Sequence, residues 1–246
     1  MAVYLLLFTA AVWAGAQNAL AGGGSFITLP ALMLTGMDAR AANITSTVAL
    51  FPAQIVTGYT GRNQAEGVPG LSLKALFAIS VAGGAVGGLI LLATPAGVFA
   101  RLVPWLVLFA TAVFAYGSFG PKRKTGHALN HVGAGVAQFC IAIYGGYFGG
   151  GIGFLMLAAL TAAGLAIRNA NATKNVLAGV MNASAVALFV FSPQVRWEQA
   201  GIACVGAAIG GVIGGHMVSR VNQKVLRGAA VAIGIALTIG LFLRAP

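Results

Sequence analysis

Ten apolar segments follow one another along the chain, separated by short polar or glycine-rich stretches. Their approximate bounds are 2–21, 25–36, 41–59, 71–94, 98–119, 129–149, 151–164, 171–192, 198–219 and 225–243. A helix needs about 20 residues to cross a bilayer, so segments 25–36 and 151–164 are too short for an ordinary crossing. The pattern predicts an all-α polytopic membrane protein with about eight to ten membrane segments.

Glycine-rich stretches precede the two short segments. Residues 17–26 contain three consecutive glycines, and residues 144–154 contain six glycines and no charge. Within a bilayer such a stretch interrupts a helix, and the freed backbone groups are tolerated only where they are buried in protein or line a wet cavity. A helix that restarts there also directs the positive end of its dipole inward, which attracts anions. We therefore expect two short, glycine-broken half-helices.

The two halves of the chain repeat each other. A shift of 128 residues places 22–45 on 150–173 with 11 identities in 24 positions and no gap. A shift of 127 then aligns 83–88 with 210–215, where glycines have the small-xxx-small spacing of closely packed membrane helices. Such repeats are the usual construction of secondary transporters. We expect a first repeat at 1–119, a basic central loop at 120–128 and a second repeat at 129–246.

The basic residues discriminate between two topologies. If the short segments cross fully, each repeat makes five crossings, the repeats are inverted, and the 14 Lys and Arg residues divide ten to four between the two sides. If the short segments only re-enter, each repeat makes four crossings and the division is seven to seven. The positive-inside rule favours the first arrangement, with both termini periplasmic and the central loop cytoplasmic. Residues 2–21 are then a retained first span, since no positive region precedes them.

Composition and charge exclude several classes of function. The chain is 59% hydrophobic and 7% charged, with a mean hydropathy of +0.93. Its net charge of +11 comes from basic residues scattered between apolar spans, which indicates membrane topology rather than nucleic-acid binding. Cys140 and Cys204 have neither disulfide nor metal spacing. Asp38, Glu66 and Glu198 lie at segment edges, so we expect no carboxylate proton relay, no enzyme, no cofactor and no metal.

One face of segment 171–192 is polar. Within about 100° of its helical circumference lie Asn171, Lys174, Asn175 and Asn182. The equivalent positions 43, 46, 47 and 54 of the first repeat hold Asn, Ser, Thr and Gln. Such residues can form interhelical hydrogen bonds, but intramembrane polar groups are more often functional, and we favour a transport pathway. For Lys174 a snorkelling interfacial lysine remains an equal alternative.

These stretches resemble the TauE/SafE sulfite-exporter family, also called the TSUP anion permeases. In the first repeat the resemblance rests on residues 20–32, which end in Pro30-Ala31-Leu32, and on residues 36–47. In the second repeat it is closer still, and it rests on residues 144–153, 171–175 and 195–197. It covers essentially the whole chain. The first repeat is the weaker match, because Ser46 stands where the second repeat has Lys174, and this argues against a symmetric two-lysine site.

The resemblance implies a bacterial inner-membrane carrier of small sulfur-containing or organic anions such as sulfite or sulfonates. We expect an exporter with its site near mid-membrane, where half-helix N-termini supply N–H donors and the polar stripes line the route. Lys174, Arg168 and Arg40 are expected to attract the anion. The predicted substrate-binding residues are Gly22, Gly23, Gly24, Ser25, Arg40, Asn43, Thr47, Gln54, Gly149, Gly150, Gly151, Gly153, Arg168, Asn171, Lys174, Asn175 and Asn182.

Two alternatives stay open at this point. An importer of the same anions could be coupled to a proton or a sodium ion, because unwound carbonyls at 22–24 and 149–151 can bind a cation. A membrane scaffold or assembly factor without transport would explain the small-residue packing but not the repeated polar stripes. Dependence of flux on an ion gradient separates the importer from the exporter.

The inverted topology places the central basic loop in the cytoplasm. A single reporter, Thr125→Cys in a background lacking Cys140 and Cys204, lies beside the basic triplet and leaves it unchanged. We expect no labelling of this cysteine by an impermeant thiol reagent in intact cells, and full labelling after permeabilisation. Labelling in intact cells would exclude this topology.

Overall fold

The structure, a computed structural model, describes residues 2–20, 23–120, 129–217 and 223–244. Within these ranges the chain forms ten α-helices and no β-strand. The helices are α1 (Ala2–Leu20), α2 (Ser25–Met33), α3 (Ala39–Gly61), α4 (Leu73–Ala93), α5 (Ala96–Phe119), α6 (His131–Tyr147), α7 (Ile152–Ala162), α8 (Ile167–Phe189), α9 (Trp197–Met217) and α10 (Gln223–Arg244). The all-helical class and the ten segments expected from the hydrophobic pattern are confirmed.

The helices include long apolar helices, two short half-helices and two long helices with a polar stripe. In the described part of the chain, three stretches are long and apolar enough to cross a membrane: Leu73–Ala93, Ala96–Phe119 and Trp197–Gly214. The half-helices α2 and α7 have only 9 and 11 residues, and a rise of 1.5 Å per residue makes them about 14–17 Å long. Helices α3 and α8 have 23 residues each, but they carry the two polar stripes.

The chain packs into two compact units, and each unit draws on both halves of the sequence. One consists of Met1–Ala53, Leu92–Gly120 and Phe189–Pro246, and the other of Gln54–Leu91 and Pro121–Leu188. Helix α3 has Pro52 in its interior and passes from one unit to the other just after it. The sequence repeats at 1–119 and 129–246 are a separate division, which this packing does not test.

In the first unit, α1 packs along α9. Glycines of α9 face backbone carbonyls of α1 so closely that a Cβ atom would collide with them. The pairs are Gly206 with Phe8, Gly210 with Val12, and Gly214 with Ala16. Each step of four residues on α9 matches a step of four on α1, so the two helices run parallel. Small residues are the general means by which membrane helices approach this closely.

In the second unit, α4 and α6 form a seam of the same kind. A Cβ atom at Gly83 would lie 2.9 Å from the carbonyl oxygen of Phe139, and one at Gly87 would collide with the carbonyl of Ile143. The 127-residue shift converts these two contacts into those of Gly210 with Val12 and Gly214 with Ala16. The predicted packing role is confirmed for Gly83, Gly87, Gly210 and Gly214, and the two seams have the same register. For Gly211 it is wrong, because nothing in the described part of the chain lies within 4 Å of a Cβ added there.

The second unit also contains a crossing of α3 and α8. A Cβ atom at Gly58 would lie 3.3 Å from the carbonyl oxygen of Asn175, and one at Gly179 would lie 3.6 Å from that of Gln54. Higher numbers on α3 thus meet lower numbers on α8, and the two helices run antiparallel. Equivalent helices of inverted repeats must be antiparallel, whereas those of parallel repeats run the same way. The crossing favours five crossings per repeat, while the orientation in the membrane stays a prediction.

The seam of α1 and α9 allows a matched test of packing. We expect Gly210→Ala to lower the amount and thermal stability of folded protein, because its Cβ would collide with the Val12 carbonyl. In the part of the chain that the structure describes, nothing lies within 4 Å of a Cβ added at the neighbouring Gly211. Gly211→Ala should therefore be neutral or stabilising by up to about 1 kcal/mol. Fluorescence-detected size exclusion and thermal unfolding in detergent measure both. Equal behaviour of the two variants would contradict the packing role.

Candidate functional site

The second glycine-rich stretch does interrupt the helix, as predicted. Helix α6 continues through Gly145 and Gly146 and ends at Tyr147, and α7 begins at Ile152. Between them, Gly149 and Gly151 have φ angles of 84° and 73°, a region that residues with a Cβ rarely adopt. Gly150 between them is buried. The break therefore needs glycine at two positions for backbone reasons alone.

The N-terminus of α7 presents backbone donors. Gly151 occupies the N-cap position, and its carbonyl accepts a hydrogen bond from the N–H of Phe154 at 3.1 Å. Among the residues that the structure describes, no backbone acceptor is found for the N–H groups of Ile152 and Gly153. Donors of this kind, together with the positive end of the helix dipole, form an anion-binding arrangement.

Lys174 lies beside this helix start. A Cβ atom added at Gly153 would lie 3.7 Å from Cδ and 3.9 Å from Nζ of Lys174. The lysine is half-buried on α8 and packs against the first turn of α7. A cation at a helix N-terminus is electrostatically unfavourable by about 0.3–1 kcal/mol, because both carry positive potential. An anion held between them would reverse the sign of this interaction.

The crossing of α3 and α8 places further predicted residues in the same unit. Asn175 and Gln54 lie at the two close approaches described above, and both are half-buried. The side-chain oxygen Oε1 of Gln54 is buried and has no hydrogen-bond partner in the described part of the chain. About two turns beyond Asn175 on α8, Asn182 is buried, with 4% of its surface exposed. Of these three residues of the two stripes, Asn182 is thus buried and Gln54 and Asn175 are half-buried.

Two predicted residues at the beginning of α8 are exposed. Arg168 is exposed and its Nε donates to Oε1 of Gln64 at 2.9 Å. Asn171 is exposed. The geometry therefore gives Arg168 a role in holding the loop after α3, and it does not direct the guanidinium to the glycine break.

The first glycine break has a different chemistry. Gly22 lies outside the described residues, and Gly23 has a φ of 84°. A Cβ at Gly23 would lie 3.0 Å from the ring of Phe114, and one at Gly24 would lie 2.8 Å from the carbonyl oxygen of Ala14. Both glycines are therefore explained by backbone conformation and packing. Helix α2 begins immediately after them, at the half-buried Ser25.

Two polar side chains of the stripe in the first repeat form hydrogen bonds within the protein. Ser46, the equivalent of Lys174, has its Oγ 2.6 Å from Oγ1 of Thr28, and both side chains are fully buried. Thr47 donates to the carbonyl of Asn43, one turn earlier on the same helix, at 2.9 Å. Asn43 is buried as well. This region is neutral, and its hydroxyl groups serve as partners of one another and of the backbone.

Arg40 stabilises a helix end. Its Nη1 donates to the carbonyl oxygen of Thr94 at 2.6 Å and approaches that of Leu92 at 3.5 Å. These carbonyls belong to the C-terminal end of α4, where a cation complements the helix dipole. Arg40 was expected to attract the anion, but a contact with carbonyls 52 and 54 positions away leaves no local signal in the sequence.

The sequence interpretation missed three buried threonines that form hydrogen bonds between distant parts of the chain. Thr28 is the partner of Ser46, and Thr45 and Thr173 bind loops, as described below. Thr45 and Thr173 are aligned by the 128-residue shift, and this identity could have identified them from the sequence. Thr28 had none, because its equivalent in the second repeat is Met156.

Comparison with known proteins agrees with this architecture. The sequence profile described as "Sulfite exporter TauE/SafE" matches residues 7–241. The chain belongs to the TauE/SafE family. Family membership confirms a membrane transporter rather than an enzyme, and a chain embedded in a membrane. No solved structure matches it significantly.

Curated relatives of this TauE/SafE protein match along almost its whole length. A "Probable membrane transporter protein" of Haemophilus influenzae is 29% identical over 95% of this chain and 92% of its own. The "Probable membrane transporter protein ORF9" of a Sinorhizobium species is 30% identical over 98% and 94%. The "Probable membrane transporter protein YfcA" of Escherichia coli K12 is 27% identical over 95% and 87%. Their printed names specify no substrate.

Proposed function

We propose that this TauE/SafE protein transports small oxyanions, such as sulfite or organic sulfonates, and binds them at the N-terminus of α7. The observation that supports the proposal is the position of Lys174, whose ammonium group lies beside the first turn of that helix. Two sources of positive potential therefore converge on one place. An oxyanion satisfies both, since its oxygens accept hydrogen bonds from backbone N–H groups and from the ammonium group.

Gly153 supports the same interpretation because nothing in the fold requires a glycine there. Its φ angle is not positive, and an added Cβ would make only ordinary van der Waals contacts with Lys174. Glycine within a helix is destabilising by about 0.5–1 kcal/mol relative to alanine. We infer that the glycine leaves room for an oxyanion beside the ammonium group and the helix start.

Polar side chains continue from this point along α8. Asn175 and Asn182 lie on the stripe, and the unpaired Oε1 of Gln54 is contributed by α3. An amide side chain can bind an anion directly through its NH₂ group or through a bridging water molecule, and the two kinds of contact have similar enthalpies. We infer that these residues line the route of the anion through this unit.

The proposed direction is export across the bacterial inner membrane. A potential of about 100 mV, negative inside, drives each outgoing negative charge with about 2.3 kcal/mol, so no coupling ion is required. Purified protein in proteoliposomes tests this, with sulfite, thiosulfate, methanesulfonate and acetate as candidate anions and an imposed potential. Flux that follows a proton or sodium gradient instead would identify the importer, and no flux of any anion would support the scaffold.

The charge of Lys174 is the first target. We expect Lys174→Gln to weaken transport at limiting substrate but not abolish it, because the backbone donors remain. Lys174→Glu should abolish it, since a negative charge then faces the helix start. Lys74→Gln, which removes an exposed lysine at the beginning of α4, is the matched control. Rates at limiting and saturating substrate, at equal protein, distinguish these cases, and normal transport by Lys174→Glu would show that the lysine is only interfacial.

The space at Gly153 is the second target. Gly153→Ala should fold normally, because the added methyl group makes no close contact and the φ angle permits it. Its methyl group would occupy the proposed anion position, so the half-saturating substrate concentration should rise roughly tenfold, equivalent to about 1.4 kcal/mol. Gly211→Ala is the control for alanine in an open helical position. Unchanged substrate dependence in Gly153→Ala would remove this glycine from the site.

A further inference from the structure

The loop after α3 is fastened to the beginning of α8. Thr173 accepts a hydrogen bond from the N–H of Glu66 at 2.9 Å and donates one to the carbonyl oxygen of Glu66 at 3.0 Å. Asn169 adds a bond from Nδ2 to Oε1 of Glu66 at 2.6 Å, and Arg168 holds Gln64. We call residues 64–66 with these bonds the α8 strap.

A related contact occurs at the beginning of α3. The N–H of Arg196, in the loop after α8, donates to Oγ1 of Thr45 at 3.2 Å. Thr45 and Thr173 correspond under the 128-residue shift, and both side chains are fully buried. Each polar-stripe helix is thus held near its N-terminus by the loop that follows the other one. The recurrence indicates that the contact is a feature of the repeat rather than an accident of one loop.

An open cavity lies beside the α8 strap. Its volume is about 640 Å³, and it is lined by residues 66–72 together with Gly164 and Leu165 of the turn between α7 and α8. Leu165 is 3% exposed, although it lines this cavity. The loop that contains the strap therefore has free space on one side. Its opening would withdraw Val68, a buried member of the hydrophobic core that also contains Leu165.

The α8 strap and the proposed anion site both contact helix α8. Thr173, which binds the strap, and Lys174, which lies at the start of α7, are consecutive residues of α8. The same order recurs in α3, where Thr45 binds its loop and Ser46 binds Thr28 of α2. A displacement of α8 that follows anion binding at Lys174 must therefore move the threonine that fastens the strap.

We propose that the α8 strap is a gate of the transporter, closed by the two hydrogen bonds of Thr173 and opened once in each transport cycle. The link to substrate rests on the function proposed above, whereas the opening of the strap does not. With the predicted topology, α8 begins at the cytoplasmic side, so this gate controls cytoplasmic access. Opening exposes the turn at Leu165 to solvent.

The gate is tested with a cysteine reporter at Leu165, introduced as Leu165→Cys in the full-length protein without Cys140 and Cys204. In membrane vesicles, a permeant maleimide should label this cysteine slowly. Thr173→Val keeps the side-chain shape but removes both hydrogen bonds, so labelling should accelerate about five- to tenfold. Thr173→Ser keeps the hydroxyl group and should restore the slow rate.

Two controls separate gating from loss of folding. Thr238→Val removes a buried threonine whose hydroxyl bonds only to its own helix, at Gly234, and it should not change the labelling of Leu165→Cys. A second reporter, Ala203→Cys at a fully buried position of α9, should stay slow in the Thr173→Val background. Acceleration at both reporters would mean general loosening and would overturn the gate. So would an unchanged rate at Leu165→Cys in Thr173→Val.

Flux measurements on the same proteins keep the two proposals distinguishable. If Thr173→Val opens the strap and the wild type carries anions, the variant should transport more slowly, because cytoplasmic access is no longer closed during the return step. If the strap does not respond while the wild type transports, the gate is wrong and the anion transporter stands. If the strap responds but no anion is carried, the transport proposal and its link to the gate are wrong.

Discussion

The helical structure of this protein is interrupted twice within apolar sequence. In a membrane, the N–H and carbonyl groups freed by such an interruption must find hydrogen-bond partners. At the second break, glycines with positive φ turn the chain between α6 and α7, and the new helix begins with backbone donors beside Lys174. A break of this kind leaves backbone donors at a positive helix end, and an anion is a natural partner for such donors, which is the basis of the site proposed above.

Close helix packing supports these breaks. Glycines on α9 and α4 allow backbone approach to α1 and α6, and the two seams have equivalent registers under one sequence shift. The seams involve α1 and α6, the helices that precede the two breaks. Packing therefore holds each of these helices close to the point where the regular helix ends. The packing glycines differ physically from the glycine of the proposed site. A Cβ would collide with backbone at Gly210 and Gly87, but it would make ordinary contacts at Gly153.

The two sequence repeats have the same order of helices but different side chains at their glycine breaks. In the first, Ser46 and Thr28 form a buried neutral pair, and the glycines of the break are accounted for by packing against Phe114 and Ala14. In the second, Lys174 faces a glycine that packing does not require. The lysine that we propose attracts the anion is thus present in one sequence repeat only, since Ser46 stands at the equivalent position of the other.

The sequence alone determined the helices, because an apolar run of sufficient length has no other stable form in a bilayer. It also determined the positions of the two breaks, since only glycine readily adopts positive φ, and the repeat, since equivalent helices keep equivalent residues. It could not separate Arg40 and Arg168 from Lys174, because an aligned cation serves equally as a cap, a loop anchor or a ligand. Only the tertiary structure decided that Arg40 meets the end of α4, that Arg168 meets Gln64, and that Lys174 meets the start of α7. The physical reason is that a side chain's role follows from the groups it meets, and those come from distant parts of the chain.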